Sequence, residues 1–169
     1  RIVLLKSGIG KVCAAIGAQS MIHNYHPDYI INTGIAGSLD KKVNVMDVVI
    51  GEKTVYHDVD CSTGNEYGQI QGFPLYFFAD KKLLNAAKQI NIAQRLHIGL
   101  TCSGDKFISG LDSLKHIKSL FPEGLAVDME SNAIAQVCYL YDVPFLSLRI
   151  ISDTPGITDH IGQYTDFWK

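Results

Sequence analysis

Five short stretches combine glycine, hydroxyl and carboxylate residues in ways that suit chemistry on a small polar ligand. They are Ser7-Gly8-Ile9-Gly10-Lys11, Asn32-Thr33-Gly34-Ile35-Ala36-Gly37, Ser103-Gly104-Asp105, Asp128-Met129-Glu130 and Ser152-Asp153. Asp153 could serve as a general acid if burial and neighbouring carboxylates raise its pKa. Asp128 and Glu130 could accept hydrogen bonds from a vicinal diol, since one carboxylate can take two. Equally, Asp128 could cap a following helix, whose first turn favours acids. The first stretch could cradle an anion with backbone N–H groups at a helix start, or be a plain tight turn. It has neither Walker spacing nor a full GxGxxG. The glycines at 34 and 37 let a ligand approach the backbone, or make an ordinary strand-to-loop turn. Arg149 stands inside an otherwise apolar run and, if buried, must be paired. Asp128 and Glu130 are its candidate partners. The six histidines show no metal spacing, and His57, beside Asp58 and Asp60, reads as a solvated loop residue.

The elements that would hold these residues alternate in type. Strands are expected at 2–7, 29–32, within 43–57, at 97–102, 125–127 and 144–151. Helices are expected at 11–24, 80–91, 112–121 and 130–141. Val48-Val49-Ile50 is a continuous apolar run, the mark of a strand covered on both faces. Asp80 is a plausible N-cap, and Asp112 opens the next helix. Residues 34–37 are expected to turn, and 58–78 form a long polar, Gly-rich loop with no clear period, a length that usually has a job. Strands alternating with helices predict an α/β fold: a mixed, mostly parallel twisted central sheet flanked by helices. In such sheets, sites form at the carboxyl ends of strands, where the polar stretches above fall.

Composition narrows the function. The chain has 169 residues, 47% hydrophobic and 19% charged, with net charge −2. That is one domain's worth and not a disordered tail. Only Arg1, Arg95 and Arg149 are arginines, a poor match to a protein that binds nucleic acid by charge. No apolar run reaches the roughly 18 residues of a membrane span. Cys13, Cys61, Cys102 and Cys138 are scattered without zinc-ligand spacing. Three sit in apolar contexts, so they read as buried free thiols in a reducing cytoplasm. The chain opens on Arg1 with strand-like Ile2-Val3-Leu4-Leu5, and 164–169 reads as the opening of an amphipathic helix. Residues 1–169 are therefore expected to be a single domain lacking an N-terminal strand and loop and the end of its last helix.

Taken together, Leu5-Lys6-Ser7-Gly8-Ile9-Gly10-Lys11, Ile31-Asn32-Thr33-Gly34-Ile35-Ala36-Gly37, Tyr56-His57-Asp58, Glu66-Tyr67-Gly68-Gln69, Ser103-Gly104-Asp105-Lys106-Phe107-Ile108, Ala126-Val127-Asp128-Met129-Glu130 and Ile151-Ser152-Asp153 resemble, in order, the bacterial 5′-methylthioadenosine/S-adenosylhomocysteine nucleosidases. The resemblance implies a nucleoside phosphorylase-like sandwich. It also implies hydrolysis of the N-glycosidic bond of 5′-thio adenine nucleosides, without cofactor or metal, in a cytoplasmic homodimer. By residue, it makes Asp153 the acid that protonates adenine N7, and Ser152 the residue that steadies it. Phe107 would stack on the base, and the Ile108 backbone would read its edge. Met129 and Glu130 would lie under the ribose, with Glu130 holding its hydroxyls. Arg149 would lie near the water network, Ile9 on the ribose side and Gly37 beside the base. Tyr164 is a candidate cover for the 5′-substituent. The family's water-activating glutamate falls in a segment that would precede Arg1. Ile35 stands where many members have Ser. Two other readings remain: a purine nucleoside phosphorylase, against which Asn32 replaces the phosphate-binding Arg, and a catalytically incompetent nucleoside-binding chain.

Overall fold

The computed structural model describes residues 1–61 and 63–167. Its elements in chain order are α1 (Lys11–Tyr25), β1 (Ile30–Ser38), β2 (Val48–Tyr56), β3 (Phe77–Phe78), α2 (Lys81–Ala87), β4 (Leu96–Ser103), α3 (Leu111–Leu120), β5 (Gly124–Asp128), α4 (Ser131–Leu140), β6 (Phe145–Asp153) and α5 (His160–Asp166). The sheet runs β3-β2-β4-β5-β1-β6, and β6 returns to pair with β2, so it closes on itself. The sheet is mixed, and its long ladders are parallel: β1 with β6, and β2 with β4. The β1–β5 pairing is antiparallel and confined to the registers Gly37↔Val127 and Ser38↔Ala126. The carboxyl ends of β1 and β5 therefore meet, and Gly37 also stands opposite Asp153 at the end of β6. This convergence positions the site.

Helices cover the closed sheet on two sides. Small residues let α1 and α4 pack together: Ala14 and Ala18 share a core cluster with Ala133, Ile134, Ala135 and Cys138. On the other side, Ile117 and Phe121 close over Val55, Leu100, Cys102 and Val127. Val49 and Ile50 are fully buried, as the apolar run in β2 predicts. Asp80 caps α2 by accepting from the N–H groups of Lys82 and Leu83. α1 ends where His26 turns left-handed, at φ 45°, directly before Pro27.

Several expectations are corrected. Residues 2–7 form no strand; Ile2 and Leu4 are 88% and 92% exposed. An apolar run becomes a strand only when a neighbour completes its ladder, and none does so among the described residues. Residues 34–37 do not turn: β1 continues through them, with an irregularity between Ala36 and Gly37. Helix α2 stops at Ala87, short of 91. Helix α3 is opened by Gly110 without a side-chain cap, while Asp112 sits in its first turn. The final helix begins earlier than 164, at His160, and the part of that expectation on Trp168 and Lys169 lies outside the described residues. Of the cysteines, Cys102 and Cys138 are buried, whereas Cys13 and Cys61 are exposed. His57 is only 4% exposed, not solvated, because it packs against Gly104, where no Cβ competes for the space.

Candidate active site

A cavity of about 1040 Å³ opens where β1, β5 and β6 end. The nine residues that the family resemblance places around the base, the ribose and the water line it: Ile9, Gly37, Phe107, Ile108, Met129, Glu130, Arg149, Ser152 and Asp153; Ser103, Gly104 and Asp105 do not. Tyr164 joins the nine from α5. Residues far apart in sequence are thus gathered by strand ends and by the turns that follow them.

The acidic end of the cavity centres on Asp153, which is 3% exposed. The Ser152 hydroxyl donates to its Oδ1 at 2.5 Å. His160 Nε2 lies 3.1 Å from its Oδ2, within ion-pairing distance yet misaligned for a hydrogen bond. Burial raises the Asp153 pKa above the ordinary aspartate value, against the opposing pull of Ser152 and His160. Gly37 is needed beside it: a Cβ there would meet Asp153 Oδ2 at 3.3 Å and Pro155 at 3.1 Å. Phe107 stands near this end. Its ring centroid is 5.5 Å from that of His160 and 5.4 Å from that of Tyr164, the latter edge-on. An exposed aromatic face next to a protonatable carboxyl suits a flat, basic heterocycle.

The other end is built around Glu130. Its Oε1 accepts from the Gly10 N–H at 3.0 Å, and its Oε2 lies 3.7 Å from Arg149 Nη2. Burial raises its pKa; the Gly10 N–H and Arg149 oppose this, and Asp128 adds to it. The first stretch is therefore a turn whose N–H groups are already used by the protein's own carboxylates. Gly10 serves Glu130, and Lys11 N–H donates to Asp105 Oδ1 at 2.7 Å. Gly8 and Gly10 adopt φ of 86° and 87°, which side chains rarely tolerate.

Arg149 is 3% exposed and is paired as expected of a buried guanidinium. Its Nε lies 2.7 Å from Asp128 Oδ2 and donates to Ser131 Oγ at 3.1 Å. Asp128 also accepts from the hydroxyls of Ser103 and Ser131 and from the Ser131 N–H. It therefore ties the start of α4 and holds the arginine at once. Arg149 Nη2 is buried without a hydrogen-bond partner, and the residue lines the cavity. Sequence reasoning missed His160 and the serine shell around Asp128. No spacing rule links His160 to Asp153, since a loop of irregular conformation separates them.

The family model of the phosphorylase superfamily matches residues 1–167. A 5′-methylthioadenosine/S-adenosylhomocysteine nucleosidase of Haemophilus influenzae is 48% identical over 155 residues, which are 90% of this chain and 68% of that protein. The chain belongs to the phosphorylase superfamily. Within it, the nucleosidase of Staphylococcus aureus is 46% identical over the same shares of both chains. Among solved structures, the Streptococcus pneumoniae nucleosidase in complex with 8-aminoadenine superposes with TM-score 0.92 at 39% identity, covering 97% of this chain and 72% of that one. The Neisseria meningitidis nucleosidase in complex with methylthio-immucillin-A gives 0.90 at 38% identity, covering 95% and 71%. As a member of this superfamily the chain has the expected mixed α/β fold, with a central sheet flanked by helices.

Proposed function

We propose that this protein hydrolyses the N-glycosidic bond of 5′-thio-substituted adenine nucleosides, methylthioadenosine and adenosylhomocysteine, giving adenine and a thioribose. The observation that carries this reading is a buried carboxyl with a raised pKa, Asp153, facing the same cavity as Phe107 and Glu130. Adenine between Phe107 and Asp153 would place N7 within reach of a carboxyl whose protonated form is favoured by burial. Protonation makes the purine a better leaving group, and such assistance is typically worth about 10²- to 10⁴-fold. Cleavage passes through an oxocarbenium-like state, as in glycoside hydrolysis. Glu130 beneath the ribose would hold its hydroxyls and stabilise the positive charge that develops there. Ile9 supplies apolar surface on the ribose side, Tyr164 covers the 5′-substituent, and Met129 lies under the sugar.

Further parts of the proposal follow from that reading. The protein acts as a homodimer, in the cytoplasm and with no cofactor. Water is the nucleophile. Asn32 supports this, since its amide donates to Ser131 Oγ at 3.1 Å and brings no cation for a phosphate. The test is adenine release from methylthioadenosine in phosphate-free buffer with a chelator present. Release at the same rate with and without added phosphate is expected. A strict need for phosphate would instead identify a phosphorylase.

A further inference from the structure

His160 is a buried polar side chain that the reading above does not use. It is 3% exposed, and its Nε2 lies 3.1 Å from Asp153 Oδ2, misaligned for a hydrogen bond and with no other partner. Its ring also lies against Phe107, the platform assigned to the base. An imidazole fixed between the acid and the stacking ring has two consequences. Ser152 takes Oδ1 and His160 faces Oδ2, so the carboxyl cannot rotate freely. The ring nitrogen and the carboxyl, 3.1 Å apart, are also close enough for a proton to pass between them.

We propose that His160 is a positioning residue for Asp153, orienting its carboxyl toward the base and sharing with it the proton that the departing purine takes. The inference rests on the reading of Asp153 as the acid. In the step, the Asp153 proton forms the N7–H bond while the C1′–N9 bond breaks and its electron pair goes to the base. Water forms the C1′–O bond and gives up one proton, which restores the pair. Contacts of this kind are commonly misaligned in the unliganded enzyme and tighten in the complex. The other charged or titratable groups lining the cavity are Lys106 from the loop after β4, Asp128 and Glu130 from the β5–α4 turn, Arg149 from β6 and Tyr164 from α5. Lys6 lines it from the chain start, and Asp159, next to His160 in sequence, folds back over Gly162. None of these is recorded in hydrogen-bond or ion-pair contact with the Asp153 carboxyl among the described residues; Ser152 and His160 are.

The test has two readouts on the intact protein, in His160→Phe and His160→Gln. The first is the titration of the Asp153 carboxyl by ¹³C NMR, which needs no activity. A histidine beside the carboxyl lowers its pKa, so both variants should titrate Asp153 at higher pH than the parent. The second is the pH profile of adenine release. Its alkaline limb, where the acid loses its proton, should move up by the same amount. His160→Phe should also lose kcat by roughly tenfold, a fraction of what general-acid catalysis supplies, and His160→Gln should recover most of it by keeping a donor. An unchanged Asp153 midpoint and limb in both variants would overturn the pairing. A shifted midpoint in a protein that releases no adenine would leave the pairing standing and remove the proposed function. If His160→Phe does not fold, His160→Gln carries both readouts.

Discussion

The guanidinium of Arg149 lies directly against Gly34 across the parallel β1–β6 ladder, in the space a Cβ would occupy. The glycine is thus required by an arginine that comes more than a hundred residues later. The Gly34→Ala variant should push Arg149 off Asp128 and destabilise the protein by about 1–3 kcal/mol, the usual cost of overpacking a core. The midpoint of denaturant unfolding reads this directly. A midpoint equal to that of the parent would mean that Arg149 has another low-energy place to go.

Removing the arginine tests the same contact from the other side. Arg149→Met leaves Asp128 buried without its cation, and breaking a buried pair from one side typically costs about 3–5 kcal/mol. The double variant Arg149→Met/Asp128→Asn should recover part of that loss, because no uncompensated charge remains. Equal stability of the single and double variants would show that the three donors around Asp128 suffice without the guanidinium.

These residues show what the sequence could disclose. Strand and helix identities were legible wherever apolar runs had breakers at their ends, as in β2 and β6. Polar residues at strand ends located the cavity, because backbone direction fixes where those ends converge. The need of Arg149 for Asp128 or Glu130 was legible too, since burial forces pairing. What was not legible depends on contacts between distant elements. The 2–7 strand failed because pairing belongs to two segments. Gly34 and Gly37 looked like turn residues, yet they are strand residues made small by Arg149 and Asp153. His57 and His160 gave no pattern because a histidine's burial is set by what folds over it.

Asp153→Asn should lose about 10²- to 10⁴-fold in kcat while retaining much of its affinity for substrate, since an acid contributes mainly in the transition state. Steady-state kinetics with methylthioadenosine separates the two effects. A fall in binding with turnover intact would remove Asp153 from the acid role.

The same substitution carries a stability signature. The folded-state pKa of Asp153 is raised above its ordinary value of 3.8, so between the two values the native state binds more protons than the unfolded one. Stability from this group is therefore full below the ordinary value and is lost as pH rises through the raised one. Asp153→Asn has no proton to lose. Its Tm relative to the parent should increase as pH rises from about 4 toward neutrality, the usual trade of stability for function. A Tm difference that does not vary with pH would contradict the raised value.

Glu130 offers a finer separation of charge from architecture. Its Oε1 accepts the Gly10 N–H at 3.0 Å, so the residue both ties the start of α1 to the cavity and presents charge to it. In Glu130→Gln the amide oxygen can still accept from Gly10, while the negative charge is gone. The fold should therefore survive with a Tm close to that of the parent. Turnover should not survive: a charge aimed at a developing cation is worth about 10²- to 10³-fold by analogy with other preorganised electrostatic contacts. Glu130→Ala removes both functions, leaving the Gly10 N–H without its acceptor at a cost of about 1–3 kcal/mol. Kinetics and thermal unfolding on the pair decide the matter. If Glu130→Gln turns over normally while Glu130→Ala is unstable, the carboxylate is only a tether for the Gly8–Gly10 turn, and the charge that stabilises the ribose must come from elsewhere in the cavity.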